Sequence, residues 1–327
     1  MEKSEVLLNS IETYEPQNVE HLTLQNEFVA ISVCPDFGGK LTSIKSQVSG
    51  IEFLKQPIEE INDIKKPQYG SSFLPPYSFG FDECFPTITS CDYELNGEII
   101  KLPDHGEVWS RKWRVNEQNS SIYVEVEGEQ LDYKLTRKIT LHKNLILITY
   151  VLENTGVTEF EYLWSCHPLL SIEAFDEILL PFQAKEAQIY YSTDEDLERY
   201  GSVRWPLPLE DESNCDVIPH ADSNFALKIF FHRLAEKKAG LYRKRSDQSI
   251  IFDYSNANVD ELGIWMNYGG WPLTKPHNEN TVALEPTTAR TDSLSEAIET
   301  GSSRNIKAGQ SVSWALKMVI EEGHVAL

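Results

Sequence analysis

The sequence is poor in cysteine, and the few cysteines that it has are not spaced for cross-linking. There are five in 327 residues, an odd number, and no two of them form a C-x-x-C pair. A disulfide framework is therefore not expected, and neither is a structural zinc site. No H-E-x-x-H or H-x-x-x-H spacing occurs either, so we predict no metal site.

Positive charge is also scarce. Against 51 Asp and Glu there are 29 Lys and Arg, which leaves a formal net charge of −22. This balance argues against binding to nucleic acid and to anionic membrane surfaces. The longest apolar run, around residues 145–152, is far too short to span a membrane. The N-terminal residues lack the basic start and apolar segment of a signal peptide, so a cytoplasmic location is expected.

Cofactor motifs and helical periodicity are lacking as well. No G-x-G-x-x-G, P-loop or G-x-S-x-G motif occurs, so no cofactor is predicted. The one convincing helical segment follows Ser293, where Ser293 and Glu296 have the spacing of a capping box and Gly301 is a suitable stop. Without alternation of helices and strands, a doubly wound α/β fold is excluded.

What the sequence does contain is many short strand patterns. The dipeptide Asn96-Gly97 between two apolar segments predicts a tight hairpin. Strand patterns recur elsewhere, at 22–34, 41–46, 51–54, 121–128, 133–142, 144–154, 160–170, 224–231, 249–255, 262–268, 281–285 and 311–320. Without an internal repeat, these favour one domain over residues 1–327, an all-β fold built as a large antiparallel sandwich.

Residues 55–91 break the strand pattern. They are rich in Pro, Gly and Ser, and they carry six aromatic residues: Tyr69, Phe73, Tyr77, Phe79, Phe81 and Phe85. A long irregular segment in a compact protein is usually functional or disordered. The aromatic content favours an ordered binding loop.

Two apolar strands each deliver a titratable residue and then a proline. Glu285 follows Val282-Ala283-Leu284 and precedes Pro286; His167 ends a similar run and precedes Pro168. Because proline cannot donate to a sheet ladder, we expect each strand to end there or to lie at a sheet edge. Glu285 and His167 are therefore candidate acid–base residues at strand ends, where catalytic groups are often found.

Further candidate residues are one histidine and several tryptophans. His105 lies in a turn between Pro103 and Gly106, where Asp104 or Glu107 could orient its imidazole. Five tryptophans fall in or beside the segments already described: Trp109, Trp164, Trp205, Trp265 and Trp271. Carbohydrate sites combine such apolar ring faces with carboxylates and histidines that bind hydroxyls.

The order of four motifs resembles the galactose mutarotase-like, or aldose 1-epimerase, superfamily. They are Gly38-Gly39, DHGEVW at 104–109, SCHPLL at 165–170 and the pair ALEPTT and SLSEAIETG within 283–301. The resemblance implies a β-supersandwich fold. It also implies a residue for each role: Glu285 as general base, His167 as general acid, His105 as a sugar contact, and Asp222 as a ligand of sugar hydroxyls.

The sequence departs from the family pattern at two places. The loop that carries an arginine in family members acting on galactose or glucose reads GFDECFP at 80–86 here, with Asp82 as its candidate sugar contact. Trp265 stands where those members have a sugar-contacting glutamine. With Trp164, these residues complete the predicted substrate-binding set.

The resemblance therefore implies an enzyme that interconverts the anomers of an aldose by acid–base ring opening. Its partner would be a small sugar, and the protein would be a monomer or a homodimer. Two alternatives remain open: a hexose-6-phosphate 1-epimerase, with phosphate held by Arg111, Lys112 and Arg114, and a sugar-binding protein without turnover. A glycosidase is a weaker option, since no second carboxylate pairs with Glu285. In so acidic a chain, carboxylates are expected to raise the pKa of His167, with activity lost above roughly pH 8.

Overall fold

The apolar patterns of the sequence form strands that assemble into two large antiparallel sheets, with two small two-stranded sheets beside them. The computed structural model describes residues 19–118, 120–209, 214–219, 223–255, 258–272 and 279–327. In these ranges helix is confined to short segments, the α-helix α1 (Leu294–Glu299) and the 3-10 turns Pro35–Phe37 and Ile61–Asp63. In the described ranges no helix has the length and apolar character needed to cross a membrane.

The larger sheet has ten strands. In spatial order these are β1 (Leu22–Gln25), β2 (Val29–Cys34), β3 (Lys40–Ser46), β4 (Phe81–Cys84), β12 (Ser165–Leu170), β20 (Asn280–Thr287), β19 (Glu261–Tyr268), β16 (Phe225–His232), β14 (Glu186–Ser192) and β15 (Ser202–Arg204). Its centre therefore joins β4, β12, β20 and β19, which are far apart in sequence.

The second sheet has eight strands. In spatial order these are β13 (Glu177–Leu179), β17 (Lys238–Arg243), β18 (Gln248–Asp253), β22 (Ser311–Glu322), β10 (Leu145–Asn154), β9 (Tyr133–His142), β8 (Ser121–Glu127) and β7 (Arg114–Gln118). The small sheets are β5 (Cys91–Leu95) with β6 (Glu98–Leu102) and β11 (Phe160–Tyr162) with β21 (Arg304–Ile306).

The predicted all-β antiparallel sandwich is confirmed. The hairpin of β5 and β6 turns at Asn96 and Gly97, whose φ angles of 55° and 83° are both positive, as the predicted turn requires. The segment 160–170, predicted as one strand, divides into β11 and β12. Strands β14 and β17 lie in segments where the sequence pattern predicted none.

The core lies between the two large sheets, and the alternation of side chains along β4 separates it from the site. Glu83 points into the core, where it contacts Arg137 of β9 at 3.1 Å and accepts a hydrogen bond from Tyr150 of β10 at 2.8 Å. Asp82, the preceding residue, must point to the opposite face of the sheet. That outer face, away from the core, is the one that carries the candidate site.

Both prolines lie within strands, which corrects the prediction that each ends its strand. Pro286 is the seventh residue of β20, a central strand whose ladder with β19 continues through Pro286 and Leu262. Pro168 lies in the middle of β12 and pairs with Phe81. The ladder between β12 and β20 is interrupted beside the two prolines. Pro168 and Pro286 have no backbone N–H to donate, and they lie where β12 and β20 form no ladder pairs. Neither strand therefore has to end at its proline.

The predicted capping box of α1 is also wrong. The Ser293 hydroxyl caps no backbone N–H of the helix and instead bonds to the Ser295 hydroxyl at 2.8 Å, while Glu296 accepts a hydrogen bond from the Thr291 hydroxyl at 2.6 Å. The predicted stop is confirmed, since Gly301 follows the helix with φ of 64° and donates its N–H to the Ile298 carbonyl.

We expect the buried ion pair between the sheets to be needed for stability. Arg137→Met leaves Glu83 without its cation in the core, so that it must stay as an unpaired carboxylate or take up a proton, which should cost about 3–5 kcal/mol of unfolding free energy. Arg114→Met is the matched control, because Arg114 is exposed and its pair with Glu125 should contribute less than about 1 kcal/mol. Urea denaturation of both variants measures the difference, and equal losses would contradict this prediction.

Candidate functional site

The register of β12 and β20 brings the two predicted acid–base residues together. Ser165 pairs with Thr287 and Leu169 pairs with Ala283, so His167 lies opposite Glu285 in the interrupted stretch of the ladder. The distance from His167 Nε2 to Glu285 Oε1 is 3.6 Å. Oε1 accepts no hydrogen bond within the described part of the chain. Glu285 is fully buried, and this unpaired oxygen faces His167.

A lysine holds the other oxygen of Glu285. Lys228 of β16 donates to Glu285 Oε2, and its ammonium lies 3.4 Å from Asp292 Oδ1. Lys228 reaches Glu285 across Gly263 of β19, where an added Cβ would lie 3.4 Å from both Lys228 Cε and Glu285 Oε2. Glycine at this position leaves the path between the lysine and the carboxylate open.

A second lysine lies on the other side of the pair. Asp82 pairs with His167 in the register of β4 and β12, and its carboxylate accepts a hydrogen bond from Lys40. The Lys40 ammonium also donates to the carbonyls of Phe79 at 2.7 Å and Tyr77 at 3.1 Å. Lys40, Asp82, His167 and Glu285 thus form one row of ionisable side chains across the sheet.

His105 enters the site from the loop before β7. Its Nδ1 lies 2.8 Å from Asp104 Oδ1, and Asp104 Oδ2 accepts the Phe73 N–H at 2.8 Å. The imidazole stacks on the Phe73 ring at 4.1 Å and meets the His167 ring edge-on at 5.1 Å. Of the two carboxylates proposed to orient His105, Asp104 does so. Glu107 instead binds backbone N–H groups of Glu129 and Gln130.

Four of these side chains, His105, His167, Lys228 and Asp292, line a cavity of about 240 Å³, and Glu285 lies buried beside it. Its wall combines histidines, a lysine and carboxylates with aromatic rings, and it includes Phe73, Leu74, Ser78, His105, His167, Leu169, Tyr190, Tyr191, Lys228, Trp265, Trp271, Glu279 and Asp292. Phe73, Leu74 and Ser78 come from the irregular segment 55–91. That segment is therefore ordered over the sheet and forms part of the wall.

Burial sets the protonation of the central pair. Loss of water raises the pKa of Glu285 to about 7, opposed by the Lys228 charge and assisted by Asp292. Loss of water also lowers the pKa of the His167 imidazole well below its usual value, and the charges of His105, Lys228 and Lys40 lower it further. The prediction that carboxylates raise the pKa of His167 is therefore wrong, because burial and neighbouring cations dominate. The proton shared by this pair resides mainly on Glu285.

The remaining predicted contacts fall in different places. Trp265 lines the cavity, whereas Asp82 is fully buried beside it and is held by Lys40. Trp164 is a correction: its indole N–H donates to Glu83 at 3.0 Å on the core side, and its ring packs against Trp314. Trp164 therefore cannot contact a ligand in the cavity. Asp222 lies outside the described residues.

Lys228 and Asp292 were missed by sequence reasoning, although Lys228 left a signal. It interrupts the apolar run Phe225–Phe231, and a lysine in such a buried strand must be paired with a carboxylate. The sequence could not indicate which carboxylate. In the described ranges, no three His, Cys, Asp or Glu side chains are grouped to hold a metal ion.

Solved structures of similar architecture identify the fold. A protein from Synechocystis sp. PCC 6803 matches with a TM-score of 0.70 and 14% identity, covering 97% of this chain and 100% of its own. A galactose mutarotase-like protein from Lactobacillus casei ATCC 334 gives 0.68 and 15%, covering 92% and 100%. An aldose epimerase homologue from C. elegans gives 0.64 and 11%, covering 94% and 100%.

These likenesses establish the fold alone. The chain has the galactose mutarotase-like fold that its motifs resemble. No protein-family model and no curated protein matches the sequence. What the chain does must therefore be argued from its own cavity.

The two partners of Glu285 should move its pKa in opposite directions. Lys228→Met removes the cation and should raise the pKa of Glu285 above about 7, while Asp292→Asn removes the competing carboxylate and should lower it. The other groups facing Glu285 are His167, His105 and the thiols of Cys84 and Cys166, which both variants retain.

Carboxyl ¹³C NMR titration measures this pKa, with Glu285→Gln identifying the resonance. Lys134→Met is the control, because Lys134 pairs with Glu153 on the other sheet. Shifts of the same sign in the two site variants would contradict the assignment of Lys228 and Asp292 as opposing partners.

Proposed function

We propose that this protein is an isomerase that interconverts the α and β anomers of an unphosphorylated aldose. The observation that carries the proposal is the pair His167 and Glu285, whose facing atoms lie 3.6 Å apart, with His167 on the wall of a cavity lined by aromatic rings and Glu285 buried beside it. Anomer exchange requires proton removal from the C1 hydroxyl and proton delivery to the ring oxygen. One acid and one base on the same side of a sugar ring can supply both steps.

The protonation of the pair suggests how the steps are divided. With the pKa of Glu285 raised to about 7 and that of His167 lowered, the two groups hold one proton below about pH 7, mainly on the carboxyl. Protonated Glu285 donates to the ring oxygen while neutral His167 accepts the C1 proton. When the open-chain sugar closes on its other face, both protons return. These roles reverse those that the family resemblance implies, and either assignment requires the same singly protonated pair.

The charges around the cavity favour a neutral sugar. Lys228 is the cation on its described wall, and its ammonium is already held by Glu285 and Asp292. Arg111, Lys112 and Arg114, the residues expected to hold a phosphate, are directed instead to Glu129, Asp36 and Glu125. The acidic residues of the wall, Glu279 and Asp292, already pair with Lys55 and Lys228, so neither lysine is left to bind a phosphate. This arrangement argues against the hexose-6-phosphate alternative.

Removing either member of the pair should abolish most of the acceleration. Glu285→Gln and His167→Asn should each lower kcat for glucose or galactose by on the order of 10²–10⁴-fold, the usual contribution of one positioned acid or base. Polarimetry of freshly dissolved α-anomers measures the rate. Lys134→Met is the matched control and should retain wild-type activity. Sugar binding without any acceleration by the wild-type protein would support the non-catalytic alternative.

The pH profile should fall on the alkaline side near neutrality. Below about pH 7 the pair retains its one proton; above it Glu285 loses that proton, and kcat/KM should drop tenfold for each further pH unit. Activity should therefore be lost at a lower pH than the pH 8 expected from the sequence. A rate that increases through pH 7 would contradict the singly protonated pair, because it would require ionised Glu285.

A further inference from the structure

A groove adjoins the cavity and is built from a different part of the chain. It is bounded by Thr89, Asp92, Tyr190, Tyr191, Arg199 and Glu296, and it encloses about 600 Å³. Thr89, Tyr190 and Tyr191 belong to the walls of both the groove and the cavity. The two spaces therefore share a boundary, and a ligand held by His167 and Glu285 has the groove as its neighbour.

The groove contains a guanidinium that is fixed in position although it is exposed. Arg199 contacts Glu296 at 2.7 Å and lies over the rings of Tyr190 at 4.4 Å and Tyr200 at 4.7 Å. Glu296 is fixed in turn by the Thr291 hydroxyl at 2.6 Å. A planar cation held by two rings and a carboxylate loses little further freedom when it donates hydrogen bonds to a ligand.

The chemistry of the groove suits a neutral polyhydroxylated group. Tyrosine rings provide apolar faces, Arg199 donates hydrogen bonds, and Asp92 and Glu296 accept them. The carboxylates among these residues outnumber the cation, so a phosphate or carboxylate ligand would be repelled. A sugar ring presents the matching combination of C–H faces and hydroxyls.

We propose that the groove is a second sugar subsite, so that the preferred substrate is a reducing disaccharide with its reducing ring in the cavity and its other ring in the groove. This inference rests on the proposed function of the cavity. It adds a site that adjoins the cavity along Thr89, Tyr190 and Tyr191.

Polarimetry with maltose, cellobiose and lactose, each compared with glucose, tests the proposal. We expect at least one disaccharide to have a higher kcat/KM than glucose. In Arg199→Ala the ratio of disaccharide to glucose kcat/KM should fall by about tenfold, the loss expected for a hydrogen bond from a charged group. Arg245→Ala is the matched control. Arg245 is 83% exposed, lies between β17 and β18 of the eight-stranded sheet, and contacts Glu173.

Two results would overturn the subsite: all three disaccharides reacting more slowly than glucose, or a ratio that Arg199→Ala leaves unchanged. Glucose 6-phosphate reacting faster than glucose, with loss of that preference in Arg199→Ala, would overturn the neutral ligand. If no sugar reacts, the proposed function fails. Sugar binding measured by calorimetry then tests whether the groove is a sugar subsite. Tighter binding of a disaccharide than of glucose, weakened in Arg199→Ala, would support the subsite; equal affinities would reject it.

Discussion

The pairing of β12 with β20 is the constraint on which the site depends. It places His167 opposite Glu285 where the ladder is interrupted, beside prolines that cannot donate hydrogen bonds. Facing residues in antiparallel strands have their side chains about 4.5–5.5 Å apart at Cβ. Two candidate proton-transfer groups are therefore brought close together by the backbone of a central sheet, which holds them more rigidly than loops would. The loops contribute His105, Phe73 and Trp271, whereas Tyr190, Tyr191 and Trp265 of the cavity wall lie on strands.

Buried charge is balanced locally throughout this region. The outer face of the ten-stranded sheet carries Lys40 with Asp82 and Lys228 with Glu285, and the core face carries Arg137 with Glu83. Each carboxylate would be costly to bury alone. Only Glu285 combines such a pairing with an oxygen that faces a candidate proton-transfer partner. The surrounding charged groups set the electrostatic potential at the Glu285–His167 contact. This potential shifts the pKa values of both residues.

The sequence was sufficient for the fold class and for the central pair, and insufficient for their surroundings. Strand alternation is a local property, so most strands and the Asn96-Gly97 turn could be predicted. Glu285 and His167 stood out because each follows an apolar run. The register that makes them neighbours is non-local, as is the reach of Lys228 past Gly263. For the same reason Trp164 was misplaced: its side of the sheet depends on which strands flank it.

The adjacent residues Asp82 and Glu83 have a consequence for how such a protein can diverge. Asp82 belongs to the row of ionisable side chains on the outer face of the sheet, and Glu83 forms the ion pair with Arg137 between the sheets. A shift of β4 would therefore disturb both the candidate site and folding. The geometry of β4 must therefore satisfy both the candidate site and the core. The segments around Phe73–Ser78 and Thr89–Asp92 line the cavity and the groove, but they do not take part in the ion pair between the two sheets. New ligand preferences can accumulate in those loops while the sheet beneath them is conserved.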